Sequence, residues 1–307
     1  MWDAATAAPG WLALGVGLHL ANQVLRGRGW HTIVLAAAGA GSGPRGHAEA
    51  APGPRRRDTI AAWIAGAGAG GVFSARGGDA VRILLLSRSC PRGGCPLLAG
   101  TLVAEGAGEL AAGAALVALA LALGAGPELG ATATTGFAAL AAVLGALAVW
   151  ALVRRVPRVR RIAAGIGRGC APLREPRAYA RGVLPWQLAS RACRLGALAC
   201  FLAAFGLPAT PIAVLLVTFA QVSGRLVPFA PASVGAGAAI LAATLEPVTG
   251  SAVPVAQVAA FYVGTSVVLT AVGVVVTTAI CLHAIRWRGL ADAIRSLRRP
   301  TPARAPA

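Results

Sequence analysis

Long runs of leucine, alanine, valine and glycine recur along this chain, and its arginines gather in the gaps between them. A helix rises about 1.5 Å per residue, so roughly 20 consecutive apolar residues cross the ~30 Å hydrocarbon layer of a bilayer. Only 12% of the residues are charged, against about 25% in an ordinary soluble domain, so a water-facing surface cannot be built. Mean hydropathy is +0.70. The pattern predicts an all-α fold: a polytopic transmembrane helix bundle in a bacterial-type cytoplasmic membrane, forming one membrane domain over 1–307.

The first candidate span is 8–25, followed by Arg26, Arg28 and Trp30, the last suited to a membrane interface. A shorter apolar stretch runs to about 43, and a Gly/Pro/Arg loop occupies 44–57. The run 59–75 is short and glycine-rich for a full crossing, and longer apolar segments follow at 97–125 and 131–153. The stretch 154–181 carries nine arginines against Glu175 alone, which marks it as cytoplasmic. Beyond it lie apolar runs at 192–207, 209–230 and 254–284, and then a basic, cytoplasmic tail, 286–307. The Met-Trp-Asp-Ala start lacks the basic region of a cleaved signal peptide, so the first run is expected to stay as an anchor.

Counting crossings constrains the architecture further. Between the basic stretch 154–181 and the basic tail the number of crossings must be even, and 192–207 with 254–284 already supply two. The segment 209–246 must then leave on the side it entered, as a re-entrant hairpin or by crossing twice. With the arginine-rich 26–57 also inside, the same parity applies to 59–92. One broken hairpin enters from the cytoplasm and the other from outside, as in inverted repeats whose discontinuous segments meet near the midplane. The halves are 1–153 and 182–285.

Three constellations carry candidate chemistry. At the turn of the first hairpin stand Arg76, Gly77, Gly78, Asp79 and Arg82. The glycines permit close backbone approach or positive φ, and a helix starting near Asp79 would aim N–H groups at an anion. Arg76 and Arg82 could add bidentate phosphate contacts; alternatively they are ordinary positive-inside charges of a turn. Glu105 and Glu109 are four apart in an apolar helix and therefore share a face. Carboxylates at such depth need cations or a wet cavity, and Arg76, Arg82 and Arg225 are the expected partners, unless the pair is a purely structural ion pair. The third lies in the second hairpin: Gln221, Arg225, Pro228, Pro231 and Gly235. Arg225 is the only basic residue between Arg194 and Arg286, and two prolines three apart break a helix where irregular backbone must line a cavity or be buried in protein. A kinked packing helix is the alternative.

Other classes find no support. The net charge of +18 sits in loops between spans, so no nucleic-acid partner is expected. The six cysteines form no CxxC pair, and His19, His31, His47 and His283 are scattered, so neither a metal site nor a cofactor is expected. No Ser/His/Asp order, phosphate-loop lysine or HExxH element appears, and the chain is not expected to be an enzyme.

In this order, the segments resemble the flippase-like membrane family that includes the transmembrane region of lysylphosphatidylglycerol synthases. The first landmark is an R-G-G-D/E element with an arginine three residues on, matched by Arg76 to Asp79 and Arg82. The second is an acidic pair on the next helix, similar to Glu105 and Glu109. The third is P-x-x-P-G-G-x-G, matched by Pro228, Pro231 and Gly235, with Ala232 and Ser233 in place of its paired glycines. Ser74 replaces a favoured proline. The likeness covers about 10–285. It implies movement of a phospholipid or lipid-linked head group between leaflets, with an anionic or phosphate-bearing membrane lipid as partner. The chain ends at Ala307 without room for the soluble acyltransferase-like domain of the synthases, so synthase activity is not expected. The competing expectation is a non-catalytic scaffold for a membrane enzyme such as a glycosyltransferase or envelope-assembly enzyme.

Overall fold

The computed structural model describes residues 8–39, 53–72, 75–87, 94–122, 157–225, 241 and 254–298. The expected span 131–153 and the residues Pro228, Pro231 and Gly235 lie outside the described residues, as do the side chains of Arg76 and Arg225. Among the described residues every element is helical, as the apolar runs predict.

Helix α1, Pro9–Gly39, is uninterrupted over 31 residues, about 46 Å at 1.5 Å per residue. The expectation that Arg26 and Arg28 open a cytoplasmic loop is therefore corrected. Arg26 pairs with Glu105 and Glu109, and the Arg28 guanidinium lies 5.3 Å from the centroid of the Trp186 ring, so neither arginine ends the helix. Trp30 is likewise not at an interface: it is fully buried, its Nε1–H donates to Thr101 Oγ1 at 3.0 Å, and its ring is tilted against Trp63 at 5.6 Å.

Helix α2, Arg56–Val72, and helix α3, Ala75–Ser87, are separated by residues 73 and 74 and pack along each other. Their 17 and 13 residues reach about 26 and 20 Å, each short of the ~30 Å of a bilayer core. Glycine makes the contact possible: a Cβ on Gly78 would lie 2.3 Å from the Gly66 carbonyl oxygen, and one on Gly66 would lie 2.2 Å from Arg82 Cγ. The new helix starts at Ala75 and not near Asp79, so Gly77 and Gly78 are helical. Of the two uses expected for these glycines, Gly78 serves close approach.

Helix α4, Gly94–Ala122, carries the short helix α5, Pro157–Gly169, through a Gly100–Gly169 approach. A 3₁₀ turn, Ala171–Arg174, and helix α6, Pro176–Gly182, lead into α7, Leu184–Ala204. The described part of the basic stretch is thus mostly helical. Helix α7 runs antiparallel to α1, with Gly15 against Phe201 and Gly29 against Trp186. It ends in a Schellman motif: Gly206 adopts φ +69, Leu207 N–H donates to Leu202 O at 2.9 Å and Gly206 N–H to Ala203 O at 3.1 Å. Helix α8, Pro211–Arg225, buries Val214, Leu216 and Val217 in one core with Phe201, Phe205 and Phe261.

Helix α9, Val255–Arg298, continues through the residues expected to form the tail. Its stretch Val255–His283 contains an 18-residue window of mean hydropathy 2.2 and is the one described helix long and apolar enough to cross a membrane. Val263, Val267, Val275 and Leu282 face outward, which a helix in a water-facing protein would avoid. It docks on α2 where Gly68 meets Gly273 and where Thr277 Oγ1 donates to Ala65 O at 3.2 Å.

Candidate functional site

Arg26, in the middle of α1, organises the site. Its Nη2 lies 2.6 Å from Glu105 Oε1 and 2.9 Å from Glu109 Oε2, and its Nε donates to Glu105 Oε1 at 3.1 Å. One planar guanidinium thus spans two carboxylates that the α4 repeat sets one turn apart. From α7, Arg191 Nη2 approaches Glu109 Oε1 at 3.1 Å and Arg194 Nη1 approaches it at 3.6 Å. Arg194 also donates to Gln221 Oε1 on α8 at 2.9 Å. Glu105 and Glu109 therefore sit among cations, as expected of carboxylates in an apolar helix; of the partners expected for them, Arg82 is the one whose side chain is described. Arg26, Arg191 and Arg194 pair with them, whereas Arg82 pairs with Asp79 at 2.8 Å on its own helix.

Arg82 shares an aromatic platform with Arg26. Its guanidinium lies 3.9 Å from the centroid of the Trp63 ring, and that of Arg26 lies 5.0 Å from the same centroid. Trp63 is fixed from α2 by donating Nε1–H to Gln23 Oε1 at 3.2 Å. Arg82 Nε is buried and has no hydrogen-bond acceptor among the described residues. Four arginines (26, 82, 191, 194) face three carboxylates (79, 105, 109), so this described cluster is net +1 (4 − 3).

The floor comes from α6 and α7. Tyr179 O–H donates to Ala104 O at 3.2 Å and accepts from Gln187 Nε2 at 3.1 Å; burial pushes this phenol up from its ordinary value. Gly108 leaves the space that Tyr179 and Gln187 fill. A groove of about 190 Å³ opens beside the cluster between α1, α2 and α9, lined by His19, Gln23, Gly68, Thr270 and Gly273. Because Gly66 is level with Thr277 on α9, Arg82 lies about eight residues past the middle of the apolar stretch, roughly 12 Å toward its arginine-bearing end.

Of the residues singled out in the sequence, the structure brings together Asp79, Arg82, Glu105, Glu109 and Gln221, with Gly78 at the contact between α2 and α3. Sequence reasoning missed Arg26, Arg191, Arg194 and Trp63. The signal was available for two of them: Arg191 and Arg194 are three apart, one face of a helix, but the run was taken to begin at 192, which left Arg191 outside it.

A helical chain that turns valines outward along an apolar 29-residue stretch while burying an arginine–carboxylate cluster between its helices is an α-helical membrane protein. It belongs to the lysylphosphatidylglycerol synthase TM region family, whose model matches residues 2–276. That membership places it among membrane proteins of lipid and cell-envelope biology. No curated protein and no solved structure matches the chain.

Proposed function

We propose that this chain is a flippase-like transporter, multi-pass in the cytoplasmic membrane, which moves a phospholipid or lipid-linked head group between leaflets without covalent chemistry. The observation that carries the reading is a buried, net-positive guanidinium cluster in which Arg82 Nε still lacks an acceptor among the described residues. A phosphate oxygen suits that donor, and arginine forks suit phosphate geometry. Asp79, Glu105 and Glu109 keep the excess charge small, so a head group binds without being trapped, the condition for passage through any transport site. The short helices α2 and α3 form the broken segment, and rocking of this pair with α9 against α1, α4 and α7 exposes the cluster to alternate leaflets.

The test is a leaflet-protection assay in proteoliposomes with head-group-labelled phosphatidylglycerol. Wild type should equilibrate the label between leaflets. Arg82→Ala and Arg191→Ala should each slow equilibration by about 10- to 100-fold, the scale of one charge-assisted phosphate contact. Equal rates in folded variants would sink the site assignment, and stoichiometric co-purification with a membrane enzyme but no transport would favour a scaffold.

A further inference from the structure

We infer that Glu109 is an internal stand-in for the ligand's anion, a carboxylate that a phosphate-bearing head group displaces from Arg191 and Arg194. The inference rests on the lipid-handling reading above and says how that site lets its cargo go.

The two glutamates share a face of α4 but not an environment. The Glu105 side chain is 9% exposed and, among the described residues, is held by Arg26 alone, through two donors on one oxygen. The Glu109 side chain is 28% exposed and, among the described residues, has three guanidinium groups within ion-pair distance. Its contacts loosen in order: Arg26 at 2.9 Å, Arg191 at 3.1 Å and Arg194 at 3.6 Å, the last beyond hydrogen-bond reach. Among the described residues, three arginines with two carboxylates leave a local excess of +1 (3 − 2), which favours a second anion.

The arginines are also held independently of that carboxylate. Arg191 Nη2 donates to the Glu109 main-chain oxygen at 3.2 Å, and Arg194 Nη2 donates to Gln221 Oε1 at 2.9 Å. When the Glu109 side chain swings away, toward the solvent-accessible side its exposure indicates, both guanidinium groups stay in place for a phosphate. Binding is then an exchange of one anion for another, and the returning carboxylate drives release. A merely structural ion pair predicts the opposite: neutralising Glu109 would loosen the arginines and weaken binding.

The experiment measures binding to the purified full chain by calorimetry with two probes, short-chain phosphatidylglycerol and inorganic phosphate. Glu109→Gln should bind more tightly than wild type, on the order of tenfold, the scale of one charge-assisted contact. Glu109→Asp, whose shorter arm withdraws from Arg194 first, should tighten binding by about threefold and serves if the amide variant fails to fold. Glu105→Gln should not tighten it. Tightening with both probes identifies the ligand chemistry as phosphate itself, and tightening with the lipid alone identifies a head group that needs its chains. Unchanged or weaker binding by the Glu109 variants, with wild type binding, overturns the stand-in role and leaves the transport reading intact. Absence of binding by wild type and variants alike overturns both.

Discussion

Replacing Arg26 by Met should destabilise the fold more than removing either of its glutamates. The substitution keeps an unbranched apolar stem but deletes every cation within 4.0 Å of Glu105 among the described residues, and Glu105 is only 7% exposed. Breaking a buried pair by removing one partner costs about 3–5 kcal/mol. Glu109 adds little to this, since it keeps Arg191 and Arg194. In the reverse variant, Glu105→Leu, Arg26 retains Glu109 at 2.9 Å and the Trp63 ring, so the cost should be about 1–2 kcal/mol. In the double variant the uncompensated charge disappears, and the loss should fall back to about 1–2 kcal/mol, a coupling of at least ~2 kcal/mol. At about 2–4 °C per kcal/mol, Arg26→Met should lower Tm by roughly 6–20 °C. Thermal unfolding in detergent, followed by tryptophan fluorescence, reads this directly because Trp30 and Trp63 are in the affected core. A double variant less stable than Arg26→Met, or an Arg26→Met change below about 1 kcal/mol, would refute the reasoning.

Three further outcomes follow from the same contacts. Arg82→Lys keeps the charge but loses the planar guanidinium over Trp63, and should weaken phosphatidylglycerol binding by about tenfold in calorimetry while leaving Tm within a few degrees. Gly78→Ala would drive a Cβ into the Gly66 carbonyl and should cost about 1–3 kcal/mol in thermal unfolding, whereas Gly17→Ala, with open space around its new Cβ among the described residues, should stabilise α1 by about 0.5–1 kcal/mol. Tyr179→Phe removes the donor to Ala104 O and the acceptor for Gln187, and should lower stability by about 1 kcal/mol in the same assay.

The helical class and most segment positions were legible because apolar run length decides them: 97–125 appears as Gly94–Ala122 and 209–230 begins as Pro211–Arg225. The boundaries failed where an arginine was read as a loop marker. Arg26 and Arg191 lie inside helices because carboxylates on α4 meet them there, and a long-range pairing of that kind leaves no trace in local periodicity. The site was legible from its acidic half for the same reason in reverse. Glu105 and Glu109 stand in an otherwise apolar run and so announce buried partners, but nothing in the spacing says which of 28 arginines will supply them. Trp63 was hidden because an aromatic residue on an apolar helix reads as core, and here it is core and platform together.

The central claim is that the arginines around α4 hold a phosphate-bearing lipid. Native mass spectrometry of the chain extracted gently from membranes tests it most directly. Wild type should carry a phosphate-bearing lipid through desolvation, and the Arg191→Ala/Arg194→Ala double variant, shown to be folded, should lose most of it. Equal lipid retention by the two proteins would contradict the account.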